Sequence, residues 1–133
     1  MKKTQTLKIN IYNLVKNKIG NSMKVKRLVK YVVKKEGYKK LKSLNIIIAD
    51  AHYLKELNKR FFNKNKPTNV ISFNLDGVGE IYISCDEIVS STDFYYYLIH
   101  GLLHIMGYDH RNRKTERLMD CACQKYLKKY FII

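Results

Sequence analysis

The sequence predicts an α+β (mixed α/β) fold, in which a small mixed four-stranded sheet is layered with about five helices. Three observations predict it: strand-like and helix-like segments alternate in the first half, two later strand-like segments flank a glycine turn, and a long apolar segment near the C-terminus has helical length. A chain of 133 residues is enough for one moderate hydrophobic core. We therefore expect a single domain over residues 1–133.

The first four predicted elements alternate between strand and helix. Residues 7–13, LKINIYN, alternate in polarity and are rich in β-branched residues, as in a strand. After GNS, valines and a leucine recur at helical spacing with lysines between them, which predicts an amphipathic helix with a basic outer face. Residues 44–50, LNIIIAD, are typical of a strand covered on both faces. Residues 51–62 place leucines and a phenylalanine on one stripe, which predicts a second helix.

The second half predicts a hairpin followed by two helices. NVISFNL (69–75) and EIYISC (80–85) flank DGVG, a hairpin signal. The segment from Thr92 to about Met106 is apolar nearly all round, so we expect a central, buried helix. A last amphipathic helix is predicted from about Lys114 to Lys129. The predicted order is therefore β-α-β-α-β-β-α-α.

The net charge of +15 is unevenly distributed along the chain. Residues 1–66 carry 19 Lys and Arg against three acidic residues, residues 67–110 carry six acidic residues and no Lys or Arg, and residues 111–133 carry seven Lys and Arg against two acidic residues. Basic flanks around an acidic centre favour a polyanion as partner, bound through its phosphates. The alternative is that the excess of positive charge reflects only a genome composition that favours lysine codons.

Several features point to a soluble, cytoplasmic protein. No apolar run approaches the ~20 residues that span a bilayer, and the basic start MKKTQTLKIN has no apolar signal-peptide region behind it. The three cysteines, Cys85, Cys121 and Cys123, cannot all pair, so we expect reduced thiols that serve as packing residues.

Three of the four histidines fall within eleven residues, in HGLLHIMGYDH. His100 and His104 are four residues apart, which places them one turn apart on the same face of the buried helix. Gly107 can take up the positive φ that turns the chain sharply, so that His110 folds back towards the other two. The pattern predicts three imidazole ligands and an open coordination position at the end of a buried helix, as in a catalytic metal site. His52 stands alone, and we assign it no role.

The histidine spacing is also that of metzincin proteases, in which a glutamate after the first histidine is the general base. Here that position is Gly101. A protease of this type would lack the group that accepts the proton of the attacking water, which argues against protease function.

The motif HGLLHIMGYDH resembles the signature of the YbeY family, bacterial rRNA-maturation metalloproteins regarded as single-strand endoribonucleases. LNKRFFNKNKPTNVISF (57–73) and GEIYIS (79–84) resemble two further family segments in the same order. The resemblance implies a metal-dependent hydrolase with one divalent metal ion, usually zinc, on His100, His104 and His110. It also implies action on the 3′ end of small-subunit rRNA and in ribosome quality control, with a small-subunit ribosomal protein and an assembly GTPase as possible partners.

The chain departs from the family pattern at two positions. The family commonly has an arginine five residues before the proline of its Pro-Thr pair, where this chain has Phe62. Arg60 lies about 200° away around a helix and is not a direct substitute. Without another cation, stabilisation of charge on the phosphate would be weaker. Glu80 stands where the family usually has Asp.

The mechanistic hypothesis is that the metal lowers the pKa of a water molecule, which attacks an RNA phosphodiester. Asp109 either orients a ligand imidazole, accepts the water proton, or is only a turn residue. Thr68, Asn69 and Ser72, carried over from the family segment, are candidates for shaping the RNA-binding cleft, although such residues are equally common in turns. Other aromatic residues either stack on unpaired bases or belong to the core: Phe61, Phe62, Tyr95, Tyr96 and Tyr97.

Two other functions stay open at this point. One is a non-catalytic RNA-binding ribosome assembly factor, in which the metal is structural, although structural zinc usually has four protein ligands. The other is a metalloprotease-like hydrolase.

Overall fold

The computed structural model describes residues 6–16, 21–66 and 68–130, and their helices and strands follow the predicted order. The strands are β1 (Lys8–Asn13), β2 (Ser43–Ala49), β3 (Val70–Leu75) and β4 (Val78–Ser84). The helices are α1 (Ser22–Glu36), α2 (Ala51–Phe62), α3 (Ser91–Ile105) and α4 (Arg113–Tyr130).

The predicted number of helices, about five, is slightly too high. Within the described ranges there are four α-helices, and the remaining helical segment is a three-residue 3-10 turn at Cys85–Glu87. This turn does not continue as a helix because the backbone is extended again at Ile88, with φ −95° and ψ 105°. The predicted α+β fold with a mixed four-stranded sheet is otherwise confirmed.

The sheet has the strand order β1-β2-β4-β3, which places β3 at an edge. β1 and β2 pair in parallel, as do β2 and β4, whereas β3 and β4 form an antiparallel hairpin. The hairpin turn consists of Asp76 and Gly77, with φ values of 52° and 91°. Two positive φ angles are characteristic of a two-residue turn that matches the twist of the strands. β4 consequently begins at Val78, inside the segment predicted as a turn.

The two faces of the sheet carry different helices. α1 and α3 cover one face over the larger hydrophobic core, and α4 packs against α3. α2 covers part of the other face over a smaller cluster that includes Ala49, Leu54 and Ile71. β2 is buried on both faces only towards its end, because Asn45 is half-exposed and accepts a hydrogen bond from Asn10.

α3 is central and buried, as predicted, with eight of its fifteen residues buried. It begins at a capping box, in which the Ser90 side chain accepts a hydrogen bond from the backbone of Asp93 and the Asp93 carboxylate accepts one from the backbone of Ser90. This reciprocal cap fixes where the helix starts and therefore which face of it presents His100 and His104.

The expectation that all three cysteines are packing residues is wrong for one of them. Cys123 is fully buried and Cys85 is half-buried, but Cys121 is exposed. Residues two apart on a helix point in different directions, so α4 turns Cys121 to solvent when it buries Cys123. Within the described ranges, no helix combines the length and the apolar composition needed to cross a membrane.

Candidate metal centre and its cleft

The three histidines of HGLLHIMGYDH come together at the C-terminal end of α3. His100 and His104 lie one turn apart on the helix, and the chain then reverses at Gly107, whose φ is +106°. The turn is closed by backbone hydrogen bonds from Gly107 to His104 (3.1 Å) and from Tyr108 to Leu103 (3.0 Å). The predicted glycine turn therefore brings His110 back against the other two rings.

The distances within the cluster suit a shared cation. The Nε2 atoms of His100 and His110 lie 3.2 Å apart, and one ligand atom from each of the three histidines lies within 4.8 Å of the others. In a tetrahedral zinc site with Zn–N distances near 2.05 Å, two nitrogens are about 3.3 Å apart. Three imidazoles are a donor set that divalent transition metals accept, so the residues present fit a metal ion.

The environment keeps two of the three imidazoles neutral. Burial lowers the pKa of His100 to about 4, and charge repulsion from His104 and His110 adds to the effect. Burial also lowers the pKa of His104, although a hydrogen bond with the backbone of Tyr108 opposes the shift. Neutral imidazole is the form that binds metals, and a hydrogen bond to the backbone is the usual means of orienting a ligand ring.

His100 is held differently from His104. Its buried Nδ1 has no hydrogen-bond partner among the described residues. The ring of Tyr96 lies beside it, with 6.1 Å between the ring centroids. On its Nδ1 side, His100 is therefore oriented by packing rather than by a hydrogen-bond acceptor.

The histidines open into a cleft of about 560 Å³ that runs along β3 between α2 and α3. Thr68, Asn69 and Ser72, the residues carried over from the family segment, all line it. The Thr68 hydroxyl donates to the backbone carbonyl of Val70 (3.2 Å), and the Asn69 side-chain amide donates to the Tyr97 hydroxyl (3.2 Å). The remaining lining residues are Asn58, Phe62, Lys64, Val70, Ile71, Tyr96, Tyr97, His100, Gly101, His104 and His110.

Asp109 lies outside the lining of this cleft. Its carboxylate accepts hydrogen bonds from the backbone of Arg111 (3.1 Å) and from Nε of Arg111 (2.9 Å), the geometry of a turn-stabilising residue. A role in catalysis stays a prediction for this residue.

Gly101, at the position of the metzincin glutamate, lies where α3 crosses β3 and β4. A Cβ at this position would come within 2.8 Å of Cγ2 of Ile81 and 3.2 Å of Cγ2 of Val70. A larger side chain would require the side chains of Ile81 and Val70 to shift, which is a physical reason for the absence of a protease-type base.

The aromatic candidates divide into core and cleft residues. Tyr95 is 1% exposed and belongs to the core, whereas Tyr96 and Tyr97 line the cleft. Phe61 and Phe62 are 58% and 47% exposed at the end of α2, and Phe62 also lines the cleft.

Two polar residues of the cleft, Asn58 and Lys64, are not predicted from the sequence. Asn58 is 6% exposed, and its side-chain amide donates to the backbone carbonyl of Lys66 (3.0 Å), which holds the loop after α2 against the helix. A polar residue inside an apolar helical stripe was the available signal for Asn58. Lys64 is one of 26 Lys and Arg residues and has no distinguishing sequence feature.

Fold and site together define a class of protein: a small α+β domain with a three-histidine candidate metal centre open to a cleft. The family model described as "Endoribonuclease YbeY" matches residues 10–131. The chain therefore belongs to the YbeY family, and the resemblance inferred from its motifs is confirmed.

Individual relatives agree with this assignment. A protein from Petrotoga mobilis named endoribonuclease YbeY is 38% identical over 123 residues, covering 83% of this chain and 85% of the relative. Another of that name, from Buchnera aphidicola, is 30% identical over 99% of this chain and 98% of its own length. The solution structure of TM1509 from Thermotoga maritima shares the fold, with a TM-score of 0.58, 24% identity, and coverage of 95% of this chain and 89% of that one.

Proposed function

We propose that this protein is a metal-dependent endoribonuclease that cuts single-stranded RNA in the cleft beside its three histidines. The observation that carries the proposal is the convergence of three imidazoles on one point at an open cleft, in a chain whose named relatives are endoribonucleases. The excess of Lys and Arg over residues 1–66 suits a polyanionic substrate.

One divalent ion, with zinc as the expected metal, is held in this proposal by His100, His104 and His110. Such an ion supplies Lewis-acid chemistry: it lowers the pKa of a water molecule and neutralises charge on phosphoryl oxygens. The chain's own residues do the positioning. The backbone of Tyr108 orients His104, and Thr68, Asn69 and Ser72 line the surface against which the RNA backbone lies.

The finer function that we propose is maturation of the 3′ end of small-subunit rRNA, together with ribosome quality control. The protein would act in the cytoplasm on single-stranded rRNA, with a small-subunit ribosomal protein and an assembly GTPase as possible partners. This part rests on the family resemblance, and the basic flanks of the chain are compatible with a large RNA substrate.

A non-catalytic RNA-binding assembly factor is the second candidate, and one observation favours it. Phe62, at the position of the family arginine, lines the cleft and brings no positive charge to it. Against this candidate, Lys64 lines the same cleft two residues later in the chain and brings a positive charge to it.

Cleavage of a labelled single-stranded RNA tests the proposal. Zinc-loaded protein is compared with His104→Ala, and His52→Ala is the matched control because His52 is an exposed histidine outside the cluster. We expect His104→Ala to lose roughly a hundredfold or more of the cleavage rate, as when a group that stabilises developing charge is removed. His52→Ala should cleave normally.

Two outcomes contradict the proposal. Full activity of His104→Ala would exclude the metal mechanism. RNA binding without cleavage by any of the three proteins would assign the assembly-factor function instead. Elemental analysis of protein purified without chelator or a nickel column identifies the metal, and a stoichiometry near one per chain is expected.

A further inference from the structure

Five aromatic side chains form a continuous row on the α2 side of the sheet, and we refer to them as the aromatic row. The rings of Tyr53 and Tyr82 are stacked with centroids 6.1 Å apart, and Tyr82 meets Phe73 edge-on at 6.0 Å. Phe73 in turn stacks on Phe62 at 5.8 Å, with 11° between the planes, and meets Phe61 at 5.3 Å. The row therefore runs from Tyr53 in the first turn of α2 to Phe61 and Phe62 at its end, by way of Tyr82 on β4 and Phe73 on β3.

The row is unusually open for a hydrophobic cluster. Tyr53, Phe61 and Phe62 are 42%, 58% and 47% exposed, whereas Phe73 and Tyr82 are half-buried beneath them. Burial of the inner rings contributes to the small core under α2. The outer rings leave large apolar faces in water, and contiguous exposed apolar surface of this kind is characteristic of interaction sites.

Phe62 connects the aromatic row to the candidate metal centre. Its ring stacks on Phe73 and also lines the cleft that contains His100, His104 and His110. A ligand that extends from the histidines along the edge strand β3 therefore meets the row first at Phe62.

The charge around the row indicates the class of that ligand. Residues 55–66 contain five Lys and Arg and one Glu, and residues 67–110 contain no Lys or Arg. The cations of this part of the chain are therefore concentrated at α2 and the loop that follows it. Aromatic faces beside cations are the combination by which proteins bind single-stranded nucleic acids, with bases on the rings and phosphates on the cations.

We infer that the aromatic row is a stacking surface for unpaired nucleobases next to the scissile phosphate, with Phe62 as its first platform. The inference rests on the proposed function, since it takes single-stranded RNA as the occupant of the cleft. It also assigns a use to Phe62: a charged contact with the phosphate is replaced by contact with an adjacent base. Stacking tolerates any base, so the row favours unpaired RNA without selecting a sequence.

Binding measured without cleavage tests the inference. Full-length protein in EDTA is titrated with a fluorescein-labelled single-stranded oligoribonucleotide and with an abasic oligomer of the same length. Phe62→Leu keeps an apolar side chain but removes the aromatic face. We expect it to weaken binding of the base-bearing oligomer by roughly fivefold or more, as for one lost base–aromatic stack, and to leave the abasic oligomer unaffected.

Tyr12→Leu is the matched control. Tyr12 is an aromatic residue of similar exposure, 49%, on β1 at the opposite edge of the sheet from β3. Its replacement should change neither affinity. An unchanged affinity of Phe62→Leu for the base-bearing oligomer overturns the inference, and if that variant instead changes sedimentation of the protein, the row is a protein contact surface.

Phe62→Trp provides a second readout that does not depend on the folding of Phe62→Leu. The chain has no tryptophan, so this variant reports from a single indole. We expect base-bearing RNA to quench its fluorescence and the abasic oligomer not to do so; equal quenching by both contradicts stacking.

The binding assay also separates this inference from the proposed function. If no RNA is cut but Phe62→Leu still loses affinity for bases, the endoribonuclease proposal fails and the stacking surface stands. If RNA is cut and Phe62→Leu binds the base-bearing oligomer normally, the endoribonuclease proposal stands and the stacking surface is excluded.

Discussion

Gly101 determines how closely α3 approaches the sheet beneath the histidines. Its missing side chain lets the helix backbone pass over Ile81 and Val70, where a Cβ would come within 2.8 Å and 3.2 Å of their methyl groups. His100 immediately precedes this contact. The depth of the first histidine in the cleft is thus fixed by a glycine whose role is steric rather than conformational.

Gly101→Ala should therefore destabilise the protein, although alanine is the better helix former. Overpacking of a tight core contact costs about 1–3 kcal/mol, and the gain in helix propensity returns about 1 kcal/mol. We expect a net loss of about 1 kcal/mol in the free energy of unfolding, measured by urea denaturation in EDTA.

Ile81→Ala supplies the check on this prediction. If the clash with Ile81 is the cause, Gly101→Ala should cost less stability when it is combined with Ile81→Ala than it costs alone. The double variant should then lose less free energy of unfolding than the two single losses added together. A Gly101→Ala protein more stable than the parent would mean that α3 does not lie this close to β4.

At the scale of whole elements, Glu36 joins the end of α1 to α4 and to the turn after α3. The Tyr108 hydroxyl donates to Oε1 of Glu36 at 2.6 Å, and the Tyr126 hydroxyl donates to Oε2. Tyr108 lies between Gly107 and His110, so the carboxylate helps to hold the turn that presents the third histidine. Hydrogen bonds to a charged group are stronger than those between neutral groups.

Glu36→Gln should weaken this junction, because an amide offers one acceptor oxygen where the carboxylate offers two. One tyrosine hydroxyl then loses its partner, at a cost of about 1–3 kcal/mol in the free energy of unfolding. Urea denaturation measures the loss, and Glu56→Gln, an exposed glutamate on α2, is the control. Equal stability of the two variants would mean that the junction contributes nothing.

The same junction predicts a loss of stability at alkaline pH. Burial, followed by the hydrogen bond to Glu36 and its negative charge, raises the pKa of Tyr126 above its usual value of 10.0. The folded protein therefore holds the phenol proton more tightly than the unfolded chain does. This contribution to stability is complete below about pH 10 and is lost as the pH rises through the raised pKa.

Tyr126→Phe removes this titration and isolates its effect. The variant should be less stable than the parent near pH 8, and the difference should shrink above about pH 10 because the ionisation of Tyr126 on unfolding then lowers the stability of the parent alone. Urea midpoints across this range measure the two curves. Parallel curves would contradict the proposed linkage.

The order of the elements and the histidine cluster can be predicted from the sequence because they depend on local periodicity, whereas a boundary such as the start of β4 at Val78 cannot. The spacing of His100 and His104, with a glycine turn before His110, predicts their convergence without any knowledge of distant residues. The Glu36 junction depends on contacts across 72 and 90 residues, which leave no local pattern. The stacking of Phe62 on Phe73 likewise depends on the packing of α2 against β3, although Phe62 itself departs visibly from the family motif.

At the scale of the whole molecule, the net charge of +15 admits two explanations. If it is an RNA-binding surface, individual cations near the cleft should make distinct contributions to binding. If it reflects codon composition alone, lysines on all sides of the molecule should be interchangeable. Lys64 lines the cleft, whereas Lys30 is exposed on α1, beyond the opposite face of the sheet. The two residues carry the same charge, so a comparison of them tests position alone.

The salt dependence of RNA binding distinguishes the two explanations. Each phosphate neutralised on single-stranded nucleic acid contributes about 0.7 to the slope of log affinity against log salt concentration. Lys64→Gln should therefore reduce the magnitude of this slope by about 0.7, and Lys30→Gln should leave it unchanged. Phe62→Leu should lower affinity without altering the slope, since stacking releases no counterions. Equal effects of the two lysine replacements would mean that the charge acts diffusely and that Lys64 makes no contact with a phosphate.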